Sequence, residues 1–268
     1  MTRALTVAHL TAIDLPPPQF IEAAAEAGFD GVGLRLIKVT EDSPGYPLMD
    51  DPALLKQTQA ALAATGLKVP DIEFLKITPE TDVATLEPLL DAGAALGAQT
   101  LITAPYDDDL DRLADRLAAI AELAAPRGIR PVLEFFPWTV VPDLATCWQV
   151  VQKAGPQVGL LADSLHMDRS RSDLALLKAI PAERMPFAHL CDAMVQGSYT
   201  TEELLFTARA ERLAPGTGEI DLLAFLRALP SEIPLGLEVP MAALTKAEGP
   251  EAVLRHIAKA TRALLAQV

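Results

Sequence analysis

Histidine and cysteine are scarce in this chain, with four and two residues out of 268. The two thiols, Cys147 and Cys191, are isolated and sit in dissimilar contexts. That excludes a disulfide framework and a cysteine-rich zinc site, and it fits a reducing cytoplasm. Positive charge is also short: 22 Lys and Arg against 36 Asp and Glu leave a formal net charge of −14. Such a balance excludes a nucleic-acid partner, whose phosphates demand a basic footprint, and disfavours an anionic membrane surface. No apolar run is long enough to span a bilayer. The short one within MTRALTVAHLTAIDLPPP lacks the length and the small-residue cleavage site of a signal peptide, so a soluble, unprocessed protein is expected. The turn after that run holds no glycine, which removes the fingerprint of a dinucleotide-binding open sheet.

What the chain does have is apolar bulk, half of its residues, distributed with two periods. Short runs rich in Val, Ile and Leu predict strands at 4–9, 31–36, 68–75, 99–104, 131–136, 158–163, 186–191 and 234–239. Stretches of helical periodicity fall between them, at 16–28, 51–66, 80–97, 107–128 and 248–267. In the clearest, DDDLDRLADRLAAIAELAAPRG, one face carries Leu110, Leu113, Leu117, Ile120 and Ala124, and the leading aspartates suit the positive end of the helix dipole. Eight βα units of this total length predict a closed (β/α)8 TIM barrel, one domain over 1–268, with its active site at the C-terminal strand ends. Long segments after the second strand (TEDSPGYPLMDD), the sixth (SLHMDRSRSD) and the seventh (192–218) would lie on that face.

Four of the strand runs end on metal-ligand types: PVLEFFP at Glu134, VGLLADSLH at Asp163, FAHLCDA at His189 and PLGLEVP at Glu238. Alternation along a strand turns Val132 and Glu134 inward, and likewise Leu161 with Asp163, Phe187 with His189, and Gly236 with Glu238. Four ligand types of common parity and depth on adjacent strands suit one divalent cation, with the longer glutamates on the two outer strands of the arc. Taken singly, each has a bland alternative, a solvated acid or a packed histidine.

At these residues the chain resembles the xylose-isomerase-like TIM-barrel superfamily, in particular its sugar phosphate isomerase/epimerase branch. The likeness covers nearly the whole chain and rests on the order of AAEAGFDGVGLRL, PVLEFFP, ADSLHMDR, HLCDA, RLAPGTGEIDLLAFL and GLEVP. It implies that Glu134, Asp163, His189 and Glu238 bind one divalent metal, that His166 contacts a substrate oxygen, and that Arg212, before the glycine-rich PGTGEID, reaches the substrate. It also implies a homo-oligomer. Ketose 3-epimerases of this superfamily often carry an arginine soon after the seventh-strand histidine; HLCDAMVQGS offers none. The superfamily's abasic-site endonucleases use a trinuclear zinc cluster that needs many histidines, which four histidines and this net charge exclude.

Three carboxylates and one imidazole leave open positions on an octahedral Mn²⁺ or Mg²⁺, with Co²⁺ or Zn²⁺ also accepted by such a set. A carbonyl and its neighbouring hydroxyl would chelate there, and Glu134 or Glu238 would remove the adjacent proton. His166 would hydrogen-bond the developing oxyanion, shuttle its proton, or stand behind the metal. The first expectation is an isomerase or epimerase of a sugar, sugar acid or cyclic polyol. The second is a dehydratase of a dehydroshikimate- or inosose-like keto compound, and the third a non-catalytic sugar-binding barrel. Arg35 would clamp an acidic group of the substrate or pair with Glu73. His9 would touch substrate or pack, and Arg169 would reach substrate or solvent. Phe135, Phe136 and Trp138 are expected to form a packed wall.

Overall fold

The computed structural model describes residues 3–39 and 43–267. The start of the segment expected after the second strand, residues 40–42, therefore lies outside the described residues. Strand β1 (Leu5–Val7) leads to helix α1 (Pro17–Glu26), followed by β2 (Gly31–Val32), β3 (Leu34–Arg35) and α2 (Pro52–Thr65). Next come β4 (Asp71–Ile77), α3 (Glu87–Ala95), β5 (Thr100–Pro105), α4 (Leu110–Ala124), β6 (Arg130–Glu134) and α5 (Leu144–Ala154). Then follow β7 (Gly159–Asp163), α6 (Ser164–Arg169), α7 (Leu174–Ala179), β8 (Ala188–Leu190), α8 (Thr201–Arg209) and α9 (Leu222–Ala228). β9 (Leu235–Leu237), α10 (Ala242–Glu248) and α11 (Pro250–Leu265) complete the chain. The strands pair in parallel in the order β2-β1-β9-β8-β7-β6-β5-β4-β3. Since β2 and β3 are the two halves of the expected second strand, this sheet is a nearly closed (β/α)8 barrel.

Several expectations are refined by local physics. The second strand breaks at Gly33, between β2, which pairs with β1, and β3, which pairs with β4; a Cβ there would lie 2.2 Å from Oδ1 of Asp71, at the start of β4, so the position requires glycine. The segment after the sixth strand is not a loop at first; it opens as α6, whose N-cap is Asp163 itself, accepting from the Leu165 amide. The long segment after the seventh strand holds α8, closed by a reciprocal Thr200–Glu203 capping box. Part of the acidic excess is structural, for Asp51, Asp109, Asp143, Asp173 and Asp221 each accept backbone amides at a helix N-terminus. No described helix is long and apolar enough to cross a membrane.

The apolar interior separates into two layers. One fills the space between the strands and the helices, with Leu133, Phe135, Leu160, Leu190 and Leu237 among its members. The other lies inside the barrel, where Ile102, Val132, Leu161 and Phe187 pack together. Val132, Leu161 and Phe187 each precede a ligand-type residue by two positions, so the inner cluster is the floor beneath them.

Candidate metal centre and cavity

Strand register explains why four residues far apart in sequence share one level. Glu134 lies beside Leu161, Asp163 beside His189, and His189 beside Gly236. Moving round the barrel, the ligand positions advance by two residues from β6 to β7 and again from β8 to β9. Even steps preserve the inward parity, and the strand tilt converts the advance into a common height. The ring of His189 fits because its partner is a glycine: a Cβ at Gly236 would lie 2.9 Å from His189 Cδ2.

Two buried hydroxyls fix the strand ends at this level. Ser164 Oγ donates to the Cys191 carbonyl and accepts from the Cys191 amide, joining the end of β8 to the residue after Asp163. Thr11 Oγ1 does the same for the Leu237 carbonyl and the Val239 amide, on either side of Glu238. Neither was singled out in the sequence, where a lone Ser or Thr gives no signal.

One ligand atom from each of Glu134, Asp163, His189 and Glu238 lies within 4.8 Å of the others, all four residues being buried. His189 Nδ1 stands 4.0 Å from Glu134 Oε1, 4.0 Å from Asp163 Oδ2 and 3.9 Å from Glu238 Oε2. Ligands sharing one ion at about 2.1 Å lie roughly 3 to 4.2 Å apart, so these distances suit a single small cation. Glu134 Oε1 and His189 Nδ1 are buried and make no hydrogen bond, the state of atoms meant for another donor or acceptor. Charge agrees as well. Arg212, 1% exposed, donates to Asp163 Oδ2 at 2.7 Å and to Glu238 Oε2 at 2.5 Å. Three carboxylates against one guanidinium leave two negative charges, which a divalent cation would balance.

The same arrangement sorts the titrating groups. Burial, then Glu238 and Asp163, hold the Glu134 carboxyl well above the usual range. Asp163 is buried too, but Arg212, His166 and His189 outweigh that and hold it below its ordinary value. Burial pushes His166 down to about 4, so its imidazole is neutral. Its Nε2 lies 3.8 Å from Glu134 Oε1, and its ring packs edge-on against Phe136 and Trp138.

Beside this cluster opens a cavity of about 270 Å³ whose walls include Glu134, His166, Glu238, Phe74, Phe136 and Trp138. Arg35, Arg209, Arg212 and Tyr106 also reach it. Phe136 and Trp138 therefore face the cavity, while Phe135 points the other way into the outer core. Arg35, expected either to clamp the substrate or to pair with Glu73, is held by Glu73 at 3.5 Å.

Two residues expected at the substrate are placed elsewhere. His9 lies behind the wall: its Nε2–H donates to the Leu15 carbonyl, its Nδ1 accepts from the Arg35 amide, and its ring stacks between Phe20 and Tyr46. Arg169 turns to a neighbouring depression, where it pairs with Asp168, donates to the Met194 carbonyl and covers the ring of Tyr199. The glycines of PGTGEID are committed as well, since the Gly216 and Gly218 amides both donate to Asp192 Oδ2. Asp192 thus holds that loop, and those amides are not a phosphate cradle.

A family model described as a xylose isomerase-like TIM barrel matches residues 21–264. Among curated proteins, a 3-dehydroshikimate dehydratase of Pseudomonas putida is 28% identical over 220 residues, 78% of this chain and 33% of that protein. One of Pseudomonas aeruginosa with the same name is 33% identical over 132 residues, 47% of this chain and 20% of its own length. The chain thus spans a third or less of the curated relatives it matches. Among solved structures, the IOLI protein with a bound zinc atom superposes with a TM-score of 0.80 at 20% identity, covering 98% of each chain. The probable 3-DHS dehydratase AsbF of Bacillus anthracis gives 0.76 at 13%, covering 97% of this chain and 98% of its own. A D-allulose 3-epimerase of Methylomonas sp. with D-allulose gives 0.70 at 17%, covering 99% and 96%. At these identities the structures establish the fold, which dehydratases and epimerases share.

Proposed function

Because the chain belongs to the xylose isomerase-like TIM barrel family, whose model matches most of its length, we propose that it is a divalent-metal-dependent dehydratase of a small cyclic keto acid, of the 3-dehydroshikimate type. Glu134, Asp163, His189 and Glu238 would hold the ion. Bound there, it would supply Lewis-acid polarisation of the substrate's carbonyl.

The observation that carries the choice of a lyase is the one-sidedness of the proton-handling groups. Epimerisation needs an acceptor on one face of the carbon and a donor on the other. Here Glu238 is tied to Arg212 at 2.5 Å, whereas Glu134 Oε1 has no hydrogen-bond partner and adjoins a neutral His166. Glu134 removes the proton next to the carbonyl. His166, whose Nε2 lies 3.8 Å from Glu134 Oε1, relays that proton: the neutral ring takes it on one nitrogen and releases its own from the other to the hydroxyl one carbon further on. The C–H and C–O bonds break, a C=C bond forms, and the hydroxyl leaves as water. Phe74, Phe136 and Trp138 shield the ring from solvent. The names of the two curated relatives support the same reading.

The test is direct. Protein loaded in turn with Mn²⁺, Mg²⁺, Co²⁺ or Zn²⁺ is given 3-dehydroshikimate, and the expected result is loss of water with the ultraviolet absorbance of an aromatic product. Glu134→Gln should lower turnover by about 10³-fold with the fold intact by circular dichroism. If instead ketoses in D₂O take up carbon-bound deuterium while the keto acid is untouched, the protein is an epimerase or isomerase and the lyase reading is wrong.

A further inference from the structure

Across the cavity from the metal centre, one buried ring joins three segments of chain. β1 and β3 stand four strands round the barrel from β6 and β7, so the residues at their ends lie opposite Glu134 and Asp163. Leu10, Ile13, Arg35 and Pro44 supply that wall. His9, fully buried, lies immediately behind it. Its Nδ1 accepts from the Arg35 amide at 3.1 Å and its Nε2–H donates to the Leu15 carbonyl at 2.9 Å. An amide only donates and a carbonyl only accepts, so these two bonds fix the tautomer. Phe20 and Tyr46 stack on the ring at 4.5 and 5.1 Å. Tyr46 closes the set: its amide donates to the Arg35 carbonyl at 3.0 Å and its hydroxyl to the Ile13 carbonyl at 2.8 Å.

The 3-10 turn His9–Ala12 therefore carries two fastenings that serve different sides of the cavity. Thr11 holds the backbone on either side of Glu238, a metal-ligand position. His9 holds the facing wall, and Leu10, between the two, lines the cavity itself. Burying an imidazole costs free energy that an apolar side chain of its size would not, and here both nitrogens are used on the main chain of segments that build or adjoin the wall. Such a wall touches the far end of a substrate in the ground state and the transition state alike. Its placement then governs KM rather than kcat.

We propose that His9 is a positioning residue for substrate binding: it sets the span between the metal centre and the facing wall, and so how tightly the substrate is held, without taking part in metal binding or proton transfer. The choice of 3-dehydroshikimate as that substrate rests on the lyase reading above; the positioning role does not.

Two amide side chains separate the ring's two bonds. An Asn amide can stand where Nδ1 does and a Gln amide where Nε2 does, so His9→Asn keeps the hold on Arg35 and His9→Gln loses it. Kinetics are read on the Mn²⁺-loaded protein with 3-dehydroshikimate, at a temperature where circular dichroism shows each variant folded. His9→Gln should raise KM by about tenfold and leave kcat within about twofold, and His9→Asn should recover most of that loss. Tyr46→Phe, which removes only the hydroxyl bond to Ile13, should raise KM by about threefold. Mn²⁺ affinity by isothermal titration should stay within about twofold of wild type in all three. Hydrogen exchange needs no substrate: in His9→Gln the Arg35 amide should exchange at least about tenfold faster, relative to the Val239 amide that Thr11 holds, than in wild type. An unchanged KM in His9→Gln, equal losses in His9→Asn and His9→Gln, a fall in Mn²⁺ affinity, or an unchanged ratio of Arg35 to Val239 exchange would each overturn the proposal. Failure of the lyase reading would register differently, as wild-type protein that releases no water from 3-dehydroshikimate while the Arg35 amide still loses its protection in His9→Gln; the KM comparison then passes to the ketose that takes up deuterium.

Discussion

His9 is enclosed on every side and uses both ring nitrogens, one as donor to Leu15 and one as acceptor from Arg35. Burial pushes it down to about 3, so it is neutral in the folded protein, whereas in the unfolded chain it titrates near the ordinary value of about 6.5. The lowered affinity gives stability that is fully present above about pH 6.5 and is lost as pH falls toward the folded value. His9→Gln should therefore cost about 1–3 kcal/mol at pH 8, and the gap from wild type should close as pH falls to 4.5, read by denaturant unfolding at each pH. A gap independent of pH would mean that His9 takes up its proton in the folded state. The residue also illustrates what alternation along a strand cannot tell: it identifies residues at the barrel's inner end but not which of them reach solvent. Glu134, Asp163, His189 and Glu238 were legible because four ligand types repeat one parity. His9 and Arg169 were single residues, each already served by neighbouring carbonyls, carboxylates or rings.

Among the elements, the break between β2 and β3 is the least visible in sequence. The run GVGLRL reads as one strand, yet the structure parts it at Gly33, where the buried Asp71 side chain of the next strand leaves no room for a Cβ. Gly33→Ala should destabilise the protein by about 1–3 kcal/mol, the usual cost of forcing a methyl group into filled space. In an Asp71→Ala background, the cost should shrink by at least half, a coupling measurable in a double-mutant cycle. Additive effects would show that the glycine is needed for something other than Asp71. The hydroxyl clasps of Ser164 and Thr11 belong to this scale too. They supply the backbone hydrogen bonds that pairing stops supplying at the strand ends, where the ligand side chains begin.

For the whole molecule, the candidate metal centre ties one side of the barrel together, since its ligands come from β6, β7 and β8 and from the residue that follows β9. An ion bound only by the folded state raises stability by about 2.7 kcal/mol at a hundredfold excess over its dissociation constant. For a domain of this size that corresponds to a rise of about 5–10 °C in melting temperature. Scanning calorimetry with EDTA and then with each of Mn²⁺, Mg²⁺, Co²⁺ and Zn²⁺ should reveal the rise for at least one ion, and Asp163→Asn should remove it. An unchanged melting temperature with all four would count against a metal held by these residues.

The sequence by itself determined the barrel and the arc of ligand types, because both rest on period: period two along the strands, a longer period between them, and a short even count from each apolar floor residue to a ligand. Only the tertiary structure decided which charges remain available. Whether an arginine is spent or open depends on which carboxylates lie within a few ångströms across the barrel, and no local pattern records that. Thus Arg212 and Arg35 prove committed to Asp163, Glu238 and Glu73.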